Sequence, residues 1–153
     1  MKEDFEKAAK FTFNAEGKIS NDPDDTGGYT IYGISSKSYP QNVARMKKWI
    51  EEGKSELAFD EAKRIYHQNY WVKADCDNME FPMAMVVFDM AINSGVSAAK
   101  KTFEKCLGDW KYFLMERIIY CTHCKTEWKH LRGWTKRIAR LYEYLMEKDE
   151  SND

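Results

Sequence analysis

Four carboxylates near the N-terminus have the types and spacing of a catalytic acid and its partner. Glu16 ends a segment with helical periodicity, and three aspartates follow within nine residues, in the turn-rich stretch NDPDDTGG. Partial burial and the negative end of the helix dipole should both raise the pKa of Glu16, because both disfavour a charged carboxylate. Aspartates on a polar turn should stay ionised. Hydrolysis of a glycosidic bond needs such a pair, one group to protonate the leaving oxygen and one to act as nucleophile or activate water.

The same residues allow other interpretations. Acid-rich turns after a helix are common, and they are often purely structural. The segment from Asp22 to Gly27 also matches the first half of a calcium-binding EF-hand loop, but Gly33 occupies the twelfth position, where that loop has Glu. A calcium site is therefore not expected, whereas a structural turn remains open from spacing alone.

Apolar periodicity predicts the elements that position these carboxylates. Phe5, Ala8 and Phe13 recur at helical spacing with Glu16, which indicates one helix over residues 3–16 that ends at Gly17. The stretch from residue 18 to residue 35 alternates β-favouring residues after a cluster of turn formers, and it predicts a short hairpin or a two- to three-stranded sheet. Helical stretches are predicted at 42–53, 55–71, 82–95, 97–108, 109–122 and 125–148.

These elements predict a mainly α (α+β) chain that forms a single compact domain of residues 1–153. Gly133 interrupts the last helical stretch, so a kink or a close approach of another element is expected there. Asp89 and Asn93 lie one turn apart on a stretch that is apolar nearly all round. They are expected to form a structural hydrogen-bond network, because buried polar groups need partners.

Charge is distributed unevenly along the chain. Residues 100–140 carry 11 basic and 4 acidic side chains, whereas the formal net charge of the whole chain is −1. A basic segment of this kind is typical either of a solvated helix face or of a surface that attracts an acidic polymer. The sequence pI of about 6.3 argues against a dedicated nucleic-acid-binding protein.

Metal and redox chemistry are not indicated. Only Cys121 and Cys124, of four cysteines, form a C-x-x-C pair, and neither a second pair nor a suitably spaced histidine pair accompanies them. The three histidines show no ligand spacing. No metal ion and no cofactor is therefore expected, and the cysteines are expected to be reduced thiols in helices.

The N-terminal stretch MKEDFEKAAKFTF lacks the apolar region of a secretory signal. No apolar run approaches the ~20 residues of a membrane span. Synthesis in the cytoplasm without stable membrane insertion is expected, so that action outside the cytoplasm would need release or export by another route.

The ordered string AEGKISNDPDDTGGYTIYGIS resembles the opening motif of glycoside hydrolase family 108, the peptidoglycan-cleaving N-acetylmuramidases. The matching residues are Glu16, Gly17, Asn21, Asp22, Pro23, Asp25, Gly27, Gly28, Thr30, Tyr32, Gly33 and Ile34. IYHQNYW and FDMAINSG resemble later motifs of the family. LRGWTKRI resembles part of a peptidoglycan-binding segment that accompanies it, so the likeness spans residues 10–142.

This resemblance implies a lysozyme-like helical domain with a small β-hairpin next to the catalytic cleft. It makes Glu16 the general acid. The order Glu16, Asp25, Thr30 also resembles the catalytic set of phage-type lysozymes, in which Asp25 would stabilise positive charge or orient water and Thr30 would hold that water or the aspartate. Asp22 remains a rival to Asp25 and a candidate substrate contact.

Four aromatic residues are further candidate substrate contacts. Tyr32 of the predicted hairpin is one of them. Tyr66, Tyr70 and Trp71 could line a saccharide groove, although helical aromatic residues are more often core. Trp134 and Arg137 are expected to serve in packing and in an ion pair.

The implied partner is bacterial cell-wall peptidoglycan, bound by a monomer without nucleic acid. Residues 1–94 would form the muramidase-like part and residues 95–150 the wall-binding-like part. One departure supports a rival class, a non-catalytic peptidoglycan-binding or secretion-accessory protein: Lys18 replaces a usual glycine, and an ammonium near Glu16 would lower the pKa of its carboxyl.

Overall fold

The computed structural model describes residues 2–16, 19–20, 29–125 and 128–150, with the backbone alone at residues 2, 15, 16, 20, 128, 129, 149 and 150. The described helices are α1 (Lys2–Glu16), α2 (Pro40–Glu51), α3 (Ser55–Tyr66), α4 (Met83–Ser94), α5 (Val96–Lys105), α6 (Trp110–His123) and α7 (Trp128–Glu150). The strands are β1 (Ile19–Ser20), β2 (Thr30–Ile31) and β3 (Ile34–Ser35). The mainly helical architecture with a small sheet, predicted from the sequence, is confirmed.

The chain forms two compact units, Met1–Asn69 and Tyr70–Asp153. A π-helical turn at His67–Trp71 contains the boundary and follows α3 directly, so the helix predicted over 55–71 changes its winding in its last third. The division at residues 94 and 95 that the sequence suggests falls inside the second unit, and the assignment of a wall-binding role to residues 95–150 stays a prediction.

The first unit contains α1, the sheet, α2 and α3. The buried face of α1 is the predicted one and includes Phe5, Ala8 and Phe13. The strands form an antiparallel sheet in the order β1-β2-β3, and α2 packs against β2, β3 and α3. Ile31 and Ile34 of the sheet are almost fully buried, so the sheet is fixed to the helical core by its apolar side.

The carboxylate of Glu61 joins α2 to α3. It accepts hydrogen bonds from Asn42 Nδ2 at 2.6 Å and from Arg45 Nη2 on α2, and from Arg64 Nε at 2.9 Å on its own helix. The Arg64 hydrogen bond, partly opposed by burial and helped by those of Asn42 and Arg45, lowers the pKa of Glu61 to about 2. Glu61 is 9% exposed, so a charged group at the helix interface is stabilised by several donors at once.

In the second unit α4 is buried along most of its length, as the apolar sequence predicts. Gly95, with φ of +91°, separates α4 from α5. Asp109 begins α6 by accepting hydrogen bonds from the backbone N–H groups of Lys111 and Tyr112, a standard helix N-cap. Within the described residues, no helix has both the length and the apolar character needed to cross a membrane.

Close packing, one of the two explanations expected for Gly133 in α7, is wrong. The helix continues through Gly133, which is exposed, and a Cβ at that position would meet no atom of the described residues within 4 Å. No described element therefore comes close enough to require a glycine here.

Candidate functional site

Two of the three proposed catalytic residues lie in described elements of the first unit. Glu16 is the last residue of α1, as predicted, and Thr30 begins β2, the central strand of the sheet. Asp22, Asp25 and Lys18 lie outside the described residues. The pairing of Glu16 with either aspartate, and the effect of Lys18 on it, stay predictions.

Thr30 is half-buried in the middle of the sheet. It lies opposite Ser35 of β3 in the antiparallel register, so these two side chains share one face of the sheet. The Ser35 hydroxyl accepts a hydrogen bond from the backbone N–H of Lys37 at 3.1 Å. Thr30 therefore lies beside a second hydroxyl group that is already engaged in its own turn.

Tyr32 occupies the two-residue turn between β2 and β3. Its φ is +50° and that of Gly33 is +76°, the backbone signs of a type I′ hairpin turn. Asn or Asp normally takes the first of these positions, because a larger side chain in the left-handed region costs free energy, on the order of 1 kcal/mol. Contacts of the Tyr32 ring with Phe13 and Phe59 offset this cost.

The ring of Tyr32 belongs to an aromatic cluster that we call the Tyr32 cluster, which consists of Phe13, Tyr32, Phe59 and Tyr66. Phe13 lies 4.7 Å from Phe59 and 6.0 Å from Tyr32 between ring centroids, and the Tyr32–Phe59 distance is 5.4 Å. The Tyr66 hydroxyl donates a hydrogen bond of 2.9 Å to the backbone carbonyl of Tyr32. The cluster thus connects the hairpin to α1 and α3.

This cluster also relates the hairpin to Glu16. Phe13 precedes Glu16 by three residues on α1, which is one helical turn. The helix end that carries Glu16 is therefore held next to the hairpin that carries Thr30 and Tyr32. Partial burial raises the pKa of the Tyr32 phenol, so this group is a neutral hydrogen-bond donor at physiological pH.

Trp71 does not fit the substrate-contact role proposed for it. It is fully buried in the second unit, its Nε1 donates a hydrogen bond of 2.9 Å to Asp77, and its ring meets the edge of Phe88 at 5.4 Å. An indole with no exposed surface has none to offer a sugar, so Trp71 is a core residue. Tyr70 is half-buried in the same turn, and its sugar contact stays a prediction.

The polar residues of α4 form the structural network that the sequence predicts. Asp89, 1% exposed, accepts hydrogen bonds from Arg117 Nη1 at 2.7 Å and from Arg137 Nη2 at 2.9 Å. Arg117 also donates to Asn93 at 3.3 Å. Burial alone would raise the pKa of Asp89, but the two guanidinium groups outweigh it and hold the pKa below its usual value. The ion pair expected of Arg137 is confirmed.

The four cysteines are unbridged thiols. Burial raises the pKa of the Cys76 thiol to about 12, which makes it unreactive at neutral pH. In the part of the chain that the structure describes, no three His, Cys, Asp or Glu side chains are grouped so that they could hold a metal ion.

The sequence and the fold resemble those of known proteins. Residues 9–95 match the family described as glycosyl hydrolase 108, a range that includes Glu16, Thr30 and the whole Tyr32 cluster. The solved structure of Brucella abortus SagA superposes with a TM-score of 0.75 at 24% sequence identity, over 95% of each chain, which shows a shared fold. A comparison with curated protein sequences gives no match. Since the family match covers more than half of the sequence, the chain belongs to glycosyl hydrolase family 108.

Proposed function

We propose that the protein is an N-acetylmuramidase that hydrolyses the β-1,4 bond between N-acetylmuramic acid and N-acetylglucosamine in bacterial peptidoglycan. The observation that carries this proposal is the position of Glu16 in a chain of this glycoside hydrolase family. Glu16 ends α1 one turn after Phe13, whose ring packs on Tyr32 in the hairpin that also carries Thr30.

In the proposed mechanism Glu16 acts as the general acid. Its protonated carboxyl gives a proton to the glycosidic oxygen while the bond to the anomeric carbon lengthens and positive charge develops on the sugar ring. Asp25, with Asp22 as the rival, stabilises that charge or orients the attacking water, and Thr30 holds the water or the aspartate through its hydroxyl. The separation of the two carboxyl groups decides whether the product anomer is retained or inverted.

Lys18 enters this mechanism as a modulator. Its ammonium, if near Glu16, favours the carboxylate and so opposes the acid form. Lys18→Gly restores the residue usual in the family and should raise the rate at neutral pH, whereas an unchanged rate would show that the ammonium does not act on Glu16.

The basic segment of residues 100–140 is proposed to attract the protein to the cell wall. It carries 11 basic and 4 acidic side chains, and this excess of positive charge would attract an anionic polymer. Because salt screens exposed charges, cosedimentation with peptidoglycan should weaken as ionic strength rises. The same degree of cosedimentation at low and high salt would contradict this role.

The proposal is tested by clearing of a suspension of purified peptidoglycan by the wild-type protein, by Glu16→Gln and by Glu51→Gln. Glu51 is an exposed residue of α2, so Glu51→Gln is a control that removes one negative charge by the same substitution at another position. Clearing by the wild type and Glu51→Gln, but not by Glu16→Gln, is expected. If none of the proteins clears the wall, yet all sediment with it, the enzyme proposal falls and a non-catalytic wall-binding protein replaces it.

A further inference from the structure

A small cavity in the first unit lies on the outer side of the Tyr32 cluster. It has a volume of about 360 Å³ and is lined by Tyr32, Ser55, Glu56, Phe59 and Asp60. This volume is at the lower end of the range for small-molecule sites, which suits one monosaccharide rather than a larger group. Four of the five lining residues come from the first turns of α3.

The two aromatic residues that line this cavity, Tyr32 and Phe59, are held in position by buried residues of the cluster. The backbone of Tyr32 is fixed by the 2.9 Å hydrogen bond from Tyr66, which is 2% exposed. Phe59 rests on Phe13 at 4.7 Å between ring centroids. Both wall residues are themselves only half-buried, so part of each ring remains available to a ligand. Two rings with fixed positions and accessible surface provide an apolar platform at little cost in side-chain entropy.

The rim of the cavity is polar and negative. Glu56 is exposed, and Asp60, 67% exposed, forms a 3.5 Å ion pair with Lys63. Lys63 also lies 5.3 Å from the centroid of the Phe59 ring. Ionised carboxylates are acceptors only, so they suit a ligand with several hydroxyl donors. They also repel a ligand that carries a carboxylate of its own.

An apolar platform with hydroxyl acceptors around it fits a pyranose ring. The C–H face of the sugar packs on Tyr32 and Phe59, and its hydroxyl groups donate to Glu56 and Asp60. Of the two sugars in the glycan strand, only N-acetylmuramic acid carries a lactyl carboxyl group, the attachment point of the peptide. Where the peptide is attached, this carboxyl is an uncharged amide, and the bulk of the peptide disfavours a small cavity. Where the carboxyl is free, the acidic rim repels it. N-acetylglucosamine has neither group and therefore fits both the charge and the volume of the cavity.

The position of the cavity agrees with such a role. Tyr32 follows Thr30 by two residues, and Phe59 contacts Phe13, one helical turn before Glu16. A sugar held against these rings would lie beside the elements that carry the proposed catalytic groups.

We propose that this cavity is a subsite for an N-acetylglucosamine unit of the glycan strand, with Tyr32 and Phe59 as the stacking platform and Glu56 as the hydroxyl acceptor that selects against the lactyl-bearing sugar. This inference rests on the proposed muramidase function, but it assigns binding roles to Phe59, Glu56 and Asp60 that the family motif does not. It also gives the ring of Tyr32 a binding role beside its packing on Phe13 and Phe59.

The test measures binding without catalysis. A β-1,4-linked trimer of N-acetylglucosamine is titrated into Glu16→Gln protein by calorimetry, and then into the same protein with Tyr32→Asn, Phe59→Leu or Glu56→Ala added. Tyr32→Asn removes the ring while placing a residue that the turn prefers, so the fold should survive. Each added substitution should weaken binding about tenfold or more, the loss expected when one good contact is removed.

Two matched controls accompany these variants. Glu51→Ala removes an exposed carboxylate from the same unit, and Tyr142→Leu removes a 41% exposed ring from the second unit. Both should leave the dissociation constant unchanged. Trimer binding that survives all three cavity substitutions, or no trimer binding to the Glu16→Gln protein at all, would overturn the inference.

Cleavage of peptidoglycan by the wild type is measured in a separate experiment. The muramidase proposal and the subsite proposal can therefore be rejected independently. If the wild type cleaves the wall but the cavity variants bind the trimer normally, the subsite is wrong and the muramidase stands. If the cavity variants lose affinity for the trimer but the wild type cleaves nothing, the muramidase proposal is wrong and the sugar site stands.

A second comparison tests whether Glu56 selects against the lactyl-bearing sugar. The ratio of the affinity for the trimer to the affinity for peptide-free glycan with free lactyl carboxylates should be smaller in Glu56→Ala. An unchanged ratio would contradict that role for Glu56.

Discussion

The hydroxyl of Tyr66 donates a 2.9 Å hydrogen bond to the backbone carbonyl of Tyr32, a residue whose φ is +50°. One buried side chain on α3 therefore stabilises an unfavourable backbone conformation in the β2–β3 turn. Strained residues of this kind persist where surrounding contacts over-determine them, and they are concentrated at functional sites. This hydrogen bond therefore holds the Tyr32 backbone at the surface where we propose that the substrate binds.

Tyr66→Phe should lower both stability and activity. The substitution leaves the carbonyl of Tyr32 without the donor that Tyr66 supplies, which costs about 1–3 kcal/mol in the free energy of unfolding. Urea denaturation measures that loss, and wall clearing should fall because the ring of Tyr32 is no longer held against Phe59. Tyr142→Phe, which alters a 41% exposed tyrosine, is the control and should change neither quantity. Wild-type stability in Tyr66→Phe would show that the bond does not support the turn.

Glu61→Gln should make the protein less stable at neutral pH and remove part of its acid sensitivity. The pKa of Glu61 is lowered from 4.5 to about 2 in the folded state, so its contribution is fully present above the unfolded value and is lost as pH falls from 4.5 to about 2. The difference in unfolding free energy between wild type and Glu61→Gln should therefore shrink over that interval. A difference that stays constant with pH would mean that the carboxylate is not stabilised by Arg64, Asn42 and Arg45.

Asp89→Ala should be among the most destabilising single substitutions in the second unit. It removes the carboxylate between Arg117, which is fully buried, and Arg137, and it leaves buried positive charge without its counter-charge. Breaking such a pair from one side typically costs about 3–5 kcal/mol. Thermal and urea unfolding compare it with Glu143→Ala, an exposed acidic residue of α7 that should change little. A loss below about 1 kcal/mol would contradict the network's structural role.

Gly133→Ala should stabilise the protein. The position is exposed and helical, and a new Cβ there meets no atom of the described residues within 4 Å. Alanine is favoured over glycine in a helix interior by about 0.5–1 kcal/mol. Gly53→Ala is the informative comparison, since Gly53 has φ of +75° and the same substitution should destabilise. A loss of stability in Gly133→Ala would show that this glycine serves a purpose other than close packing.

Much of the fold was predictable because apolar periodicity and terminal glycines are local signals. The helix of Glu16 and the buried α4 ending at Gly95 lie where those signals place them. The π-helical turn after Tyr66 was not predictable, because the amphipathic pattern continues through it. The environment of Gly133 was not predictable either, because the sequence shows where a glycine lies but not whether another element packs against it.

The site was predictable in part. Ordered motif residues lead to Glu16 and Thr30, whereas the burial of Trp71 depends on tertiary packing that no local pattern reports. Phe59 and Glu56 were not predictable, because the apolar periodicity of α3 indicates only its buried face. The unusual Tyr-Gly pair between two short β-favouring runs was the available signal, since a tyrosine at the first turn position requires an explanation.

The sugar at the new reducing end distinguishes an N-acetylmuramidase from other wall hydrolases. Purified peptidoglycan is digested with wild type and with Glu16→Gln, the soluble products are reduced with borohydride, and the terminal sugar alcohols are identified by mass spectrometry. We expect muramic-acid-derived alcohol from the wild type and none from Glu16→Gln. Glucosamine-derived alcohol from the wild type, or equal release by Glu16→Gln, would contradict it.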